Sequence, residues 1–150
     1  MVKLYRDNLS SGAMGYLESR KLDKSDVSRF SLGCSPNSWD ALVMYLRHIG
    51  IGEKQMLELG VAQEGKYGVY DRFRGHIMFP IMDIAGRVIA FGGRLIDGER
   101  AKYINSYDSM MYHKRKNVYL LDKARRGNLR EEAFNSRRVM YGCNTASWRQ

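Results

Sequence analysis

Apolar residues recur at three- and four-residue spacing through roughly the first sixty positions, then change to runs and alternations. Residues 2–9 and 13–20 carry Leu4, Leu9, Met14 and Leu17 at helical spacing and predict two helices. Asp23 or Ser25 is placed to cap a short helical turn through Val27 and Phe30. The string Leu32-Gly33-Cys34-Ser35-Pro36-Asn37 interrupts it. Ser38 is then placed to cap a helix over 39–48, with Leu42, Val43, Tyr45 and Leu46 as its inner positions. Gly50 and Gly52 punctuate the chain, and residues 53–59 predict a two-turn helix stopped by Gly60.

From Gly65 the period shortens. His76-Ile77-Met78-Phe79-Pro80-Ile81-Met82 reads as a strand, Asp83-Ile84-Ala85-Gly86 as a turn, and Arg87-Val88-Ile89-Ala90-Phe91 as the returning strand of a hairpin. Pro80 has no N–H for a ladder bond and predicts an edge or a bulge. Residues 101–116 are polar, with Ser, Asn and Tyr, and read as loop with short strand pieces; residues 118–121 begin another apolar element that continues as helix over 122–126. The expected fold class is α+β, a helical cluster followed by a mostly antiparallel, mixed sheet.

At 150 residues the chain has length for one domain with one core. No apolar run reaches the roughly eighteen residues of a membrane span, and the N-terminus lacks the apolar core of a secretory signal, so no membrane partner is expected. Cys34 and Cys143 fit neither a disulfide framework nor a four-ligand zinc site, which points to a cytoplasmic setting. Charge changes the picture most. Lys and Arg number 25 against 16 Asp and Glu, a net charge of +9 that favours a polyanionic partner.

Candidate chemistry follows that charge. Between Arg94 and Arg126, cations including Arg94, Arg100, Lys102 and Lys114 alternate with Tyr103, Tyr107 and Tyr112, a pattern that suits phosphates and exposed bases or a solvated surface over core tyrosines. Gly92-Gly93-Arg94 closes the second hairpin strand, where glycines admit a close backbone approach and an arginine forks onto phosphate; a plain strand-to-loop turn reads the same way. His48, His76 and His113 stand apart from any Cys or carboxylate at ligand spacing and read as surface or supporting residues rather than metal ligands. Phe79 and Trp39 read as core rather than base-stacking residues, and Asp71 and Asp83 as partners for nearby arginines.

Several strings are specific. Tyr70-Asp71-Arg72-Phe73-Arg74-Gly75-His76-Ile77-Met78-Phe79-Pro80-Ile81, Gly86-Arg87-Val88-Ile89-Ala90-Phe91-Gly92-Gly93-Arg94, Ala101-Lys102-Tyr103-Ile104-Asn105-Ser106 and His113-Lys114 resemble, in order, the bacterial replicative DNA primase, the DnaG family. Upstream, Tyr16-Leu17-Glu18-Ser19-Arg20-Lys21-Leu22 resembles the family's Y-L-x-x-R-G-L. Phe30-Ser31-Leu32-Gly33-Cys34-Ser35-Pro36 with Trp39 resembles its F-x-L-G-Y-A-P-x-x-W. Lys21, His76 and Ala101 replace a usual glycine, arginine and proline.

The resemblance implies the basic N-terminal subdomain of a primase catalytic core, spanning 1–138, that precedes a TOPRIM fold. The parent enzyme is a nucleotidyltransferase, a DNA-directed RNA polymerase making RNA primers for replication. It uses Mg2+ or Mn2+ held by TOPRIM acids and carries zinc in an upstream domain. The implied partners are single-stranded DNA template, the RNA–DNA hybrid and ribonucleoside triphosphates, with replicative helicase and single-stranded DNA-binding protein reached through the parent enzyme. Cytoplasmic action at a bacterial nucleoid, or a phage source, goes with this role. Arg20, Arg74, Arg94, Lys102, Asn105 and Lys114 are the implied nucleic-acid and nucleotide contacts, in one cleft. Residues 139–150 depart from the family and read as a frameshifted or disordered tail: sliding the possible codons of 140–148 by one base permits Cys-Met-Asp-Val-Ile, close to the family's Y-M-D-V-I. Lacking the TOPRIM acids, the chain is expected to be catalytically inactive alone. The competing readings are a stand-alone single-stranded nucleic-acid binding module and an inactive remnant of a phage or decayed gene.

Overall fold

The computed structural model describes residues 1–97, 102–109, 112 and 113. Five helices occupy the first part: α1 (Val2–Asp7), α2 (Ser11–Ser19), α3 (Lys24–Arg29), α4 (Ala41–His48) and α5 (Glu53–Glu58). The strands are β1 (Gly33–Cys34), β2 (Ala62–Gly65), β3 (Gly68–Asp71), β4 (His76–Met82), β5 (Val88–Leu95) and β6 (Tyr103–Asn105).

Helices this short stay folded only if their ends are tied down. α2 through α5 all finish in a paired-bond C-terminal motif with one residue in the left-handed region. In α2, Lys21 N–H donates to Glu18 O at 2.8 Å and Leu22 N–H to Leu17 O at 3.0 Å. Ser31 and Leu32 repeat the pair on α3, Gly50 and Ile51 on α4, Gly60 and Val61 on α5. In each motif the outer residue is apolar, as is its partner one turn back, so each helix end is also a small hydrophobic contact. Glycine suits the left-handed position; Lys21 at φ 63° and Ser31 at φ 52° hold it against a Cβ penalty. The unusual lysine of the Tyr16–Leu22 string therefore occupies the strained position itself.

Helix starts are equally local for α2 and α3. The Ser10 hydroxyl accepts from Ala13 N–H, and Asp23 and Asp26 form a reciprocal capping box. α4 differs from expectation. It begins at Ala41 rather than at Trp39, and Ser38 does not cap it. Its first donors go instead to the Asp71 carboxylate, thirty residues downstream at the end of β3: Leu42 N–H at 2.8 Å and Val43 N–H at 2.9 Å. Asp71 is fully buried.

β1, β4, β5 and β6 form one sheet in that order, and β2 pairs with β3 in a separate hairpin; every described pairing is antiparallel. Where the Leu32–Asn37 string predicts only a break, Gly33 and Cys34 form the short β1, and the β2–β3 hairpin has no counterpart in the sequence pattern. Pro80 lies inside β4, but β1 covers β4 only at Ile77 and Met78 and a bulge follows at Ile81/Met82, which accommodates the missing N–H. Strand alternation sends Ile77, Phe79 and Ile81 to one face, against Leu17, Val27 and Phe30 of α2 and α3. Met78 and Phe91 go to the other, against Tyr5, Leu42, Leu46 and Met56. α1 presses directly on β1: a Cβ on Gly33 would lie 2.4 Å from the Tyr5 carbonyl carbon, so only glycine fits. The element over 118–126, the boundary at 138 and the tail over 139–150 lie outside the described residues. No described helix is long and apolar enough to cross a membrane.

Burial holds the Asp71 carboxyl above the ordinary carboxylate range, opposed by its two α4 N–H bonds. Its folded pKa exceeds its unfolded one, so falling pH in that window favours the folded chain at this group. Acid sensitivity sits elsewhere. The Ser25 hydroxyl holds Asp23 low and the Arg87 backbone N–H holds Asp83 low; their stabilisation is present above the unfolded pKa and lost as pH falls through the folded one.

Replacing Asp71 by Asn puts an NH2 group against donors and strands a buried N–H. Urea unfolding should show a loss of about 2–4 kcal/mol for Asp71→Asn, while Asp40→Ala at the formal N-cap stays within about 0.5 kcal/mol of wild type. The same measurement should show Lys21→Gly gaining about 0.5–1 kcal/mol by relieving the left-handed residue.

Candidate nucleic-acid interface

Arg94 is half-buried near the end of β5, on the α2-facing side of the sheet. Its guanidinium carbon lies 4.7 Å from the centre of the Tyr16 ring on α2 and 4.8 Å from that of Tyr103 on β6. Arg20, the residue that closes α2, lies 5.5 Å from the same Tyr16 ring. Tyr16 and Arg20 are four residues apart and so share a helix face. The result is an alternating row, Arg20–Tyr16–Arg94–Tyr103, built from three elements.

β6 is fastened beside this row. Tyr103 pairs with Arg94 and Asn105 with Gly92, and the carbonyl of exposed Lys102 accepts from Leu95 N–H at 2.8 Å. Arg72 forks onto the Asn105 carbonyl through Nε at 2.9 Å and Nη2 at 2.8 Å. Its guanidinium also lies 3.6 Å from the ring centre of Tyr107, whose hydroxyl accepts from Gln63 Nε2. Ser106 is buried, with its hydroxyl accepting from Phe91 N–H at 3.1 Å. Arg20 and Arg94 thus share the Tyr16 ring, Asn105 lies on the neighbouring strand beside Gly92, and exposed Lys102 is tied to Leu95 through its backbone carbonyl.

Arg74 belongs to a second stack. Its guanidinium lies 4.0 Å from the Trp39 ring centre and 5.3 Å from that of Tyr70, and Nη1 donates to the Asp71 carbonyl at 2.7 Å. Trp39 is 66% exposed, so the reading of Trp39 as a core residue is corrected: outside α4, its indole covers Arg74 instead of packing inward. Phe79 is buried as expected. Arg74 and Arg94 flank the same end of the β4–β5 hairpin, where Ile96 N–H donates to Gly75 O at 3.4 Å, but they rest on different rings. Lys114 lies outside the described residues.

The other expectations divide. Gly92 and Gly93 leave room for the protein's own side chains: a Cβ on Gly93 would sit 2.7 Å from the Phe73 ring, and one on Gly92 3.1 Å from Asn105 Oδ1. Tyr112 is a core residue and not a stacking surface. His76 is buried rather than on the surface, its Nδ1 at Arg74 and its backbone bonded to Ser35; His48 and His113 are exposed. Asp83 pairs with Arg87 at 2.7 Å, whereas the Asp71 carboxylate goes to α4 and only its carbonyl meets an arginine. Among the described residues no three His, Cys, Asp or Glu side chains converge, so they offer no donor set for a divalent metal or zinc. Tyr16, Tyr70 and Arg72 join the site through contacts that the sequence pattern does not mark. The Tyr16/Arg20 spacing was the one local signal; the other contacts cross between elements.

Residues 2–125 match the family described as the DNA primase catalytic core, N-terminal domain. The DNA primase of Deinococcus radiodurans is 42% identical over 125 residues, covering 82% of this chain and 22% of that protein. The chain therefore spans about a fifth of the length of such relatives. Among solved structures, a DnaG primase catalytic domain bound to single-stranded DNA superposes with TM-score 0.75 at 34% identity, over 85% of this chain and 43% of that one. The Aquifex aeolicus primase, comprising zinc-binding and RNA polymerase domains, superposes with TM-score 0.74 at 37% identity, over 81% of this chain and 30% of that one.

The packing role of the glycine pair is testable by stability alone. Gly93→Ala should lose about 1–3 kcal/mol in urea unfolding because Phe73 must move. Gly15→Ala, in open space within α2, should gain about 0.5–1 kcal/mol.

Proposed function

This chain belongs to the DNA primase catalytic core N-terminal domain family, and we propose that it holds single-stranded template, the short RNA–DNA hybrid and the phosphates of ribonucleoside triphosphates during primer synthesis. The observation that carries this reading is the seating of Arg20, Arg94 and Arg74 on aromatic rings at one end of the sheet, beside exposed Lys102. Guanidinium edges bind phosphate oxygens while ring faces accept bases, and the two together hold a single strand with little dependence on its sequence. The net charge of +9 adds long-range attraction for a polyanion.

In this reading Arg94, Lys102, Asn105 and Lys114 orient phosphates of the strand or incoming nucleotide by electrostatics and take no part in proton transfer. Arg20, Arg74 and Trp39 line the path of the template. Nucleotidyl transfer in the parent enzyme draws on Mg2+ or Mn2+ to neutralise the reacting phosphates, and zinc, helicase and single-stranded DNA-binding protein engage other parts of that enzyme. The 150-residue chain by itself binds without turnover, in a bacterial cytoplasmic setting. That is also the behaviour of a stand-alone binding module, which differs in that adding the remaining catalytic domain in trans restores no primer synthesis.

Fluorescence anisotropy with a labelled single-stranded oligonucleotide across a salt series tests the reading. Binding should weaken steeply with salt, and Arg94→Ala and Lys102→Ala should each flatten the slope by about one unit. Trp39→Ala should cost about 1–3 kcal/mol with the slope unchanged, as expected for lost stacking. A folded sample that does not bind at low salt overturns the proposal.

A further inference from the structure

Among the described residues, Tyr16 is the one ring shared by two of the arginines that line the basic face. Arg20 comes from the end of α2, where the left-handed Lys21 fixes the exit of the chain, and Arg94 comes from β5. Nothing in the backbone ladders links these two side chains. Their common contact is the Tyr16 ring, at 5.5 Å and 4.7 Å from the guanidinium carbons. The ring is itself held in place: Tyr16 is half-buried and packs against the core that contains Leu17, Ile77 and Phe79.

We propose that Tyr16 is a positioning residue that joins Arg20 and Arg94 into one paired cationic site for phosphates of a bound strand. The proposal rests on the nucleic-acid reading above and deepens it. Two like charges on separate elements repel and sample many rotamers. A π face attracts both, and it limits the rotamers that would otherwise be lost on binding. Stacking uses the face of a guanidinium while anion binding uses its edge, so the ring does not compete with phosphate. The Tyr16 hydroxyl plays no part: it is buried with no hydrogen-bond partner among the described residues. The ring alone carries the role, which separates Phe from an aliphatic replacement.

The test uses the full 150-residue chain carrying Tyr16→Phe or Tyr16→Leu, with circular dichroism to establish folding. Anisotropy with labelled oligothymidylate should show Tyr16→Phe within about twofold of wild type and Tyr16→Leu weaker by about tenfold at low salt. Arg94→Ala should cost markedly less in the Tyr16→Leu background than in wild type, the signature of a coupled pair. Proton–nitrogen spectra without DNA should show a ring-shifted Arg20 side-chain signal in wild type and Tyr16→Phe that is lost in Tyr16→Leu, while the Arg94 signal moves but keeps the part due to Tyr103. If Tyr16→Leu does not fold at assay temperature, Tyr16→Met takes its place. A folded Tyr16→Leu that binds like wild type, or effects of Tyr16→Leu and Arg94→Ala that simply multiply, overturns the role given to Tyr16 alone. A wild type that binds no oligonucleotide overturns the nucleic-acid reading, and the paired site with it.

Discussion

One buried carboxylate joins the two halves of this fold. Asp71 stands at the end of β3 and spends both oxygens on the first free N–H groups of α4, where the helix's own N-cap residue offers nothing. Its backbone N–H donates to the Trp39 carbonyl, and its carbonyl accepts from Arg74. A single residue therefore fixes where α4 begins, keeps Trp39 out of that helix, and places Arg74 beneath the indole. A negative charge at a helix N-terminus is favourable, and the two N–H bonds recover part of the cost of burying the ion, which still leaves the carboxyl pKa raised. The packing of α4 on the sheet and the exposed aromatic stack at its edge have the same origin.

The rest of the basic face is assembled by a second recurrent contact, guanidinium on ring. Arg20, Arg72, Arg74 and Arg94 each lie on at least one aromatic side chain, and Arg72 and Arg74 also bond backbone carbonyls. A ring holds an arginine without cancelling its charge, unlike a carboxylate, and the cost of ordering the side chain is met during folding. Both properties suit the proposed role in holding phosphates. The glycines at the end of β5 contribute by making room for Phe73 and Asn105, which keeps β5 and β6 close beneath the row.

The short helices show how far local chemistry carries. Four of the five, α2 through α5, end by the same backbone motif, and Gly50 and Gly60 announce two of those ends in the sequence. Lys21 and Ser31 hide the other two, because a non-glycine residue takes the left-handed position only when the following leucine is anchored in the core.

The sequence by itself determined the α+β class, the five helices to within two residues at most boundaries, the β4–β5 hairpin, the basic character and, through its ordered strings, the primase family. Those features depend on periodicity, turn residues and charge, which are local or compositional. It also supplied the residue types of the candidate interface, of which Arg20 and Arg94 meet on one ring and Asn105 lies on the adjoining strand. Tertiary structure alone decided that Asp71 caps α4, that Trp39 is exposed, that Tyr112 is core, and that Tyr16 serves two arginines while Arg74 rests elsewhere. Each of those outcomes is a contact between elements distant in the chain. Such a contact exists only after the sheet and helices have packed, so no spacing in the sequence encodes it.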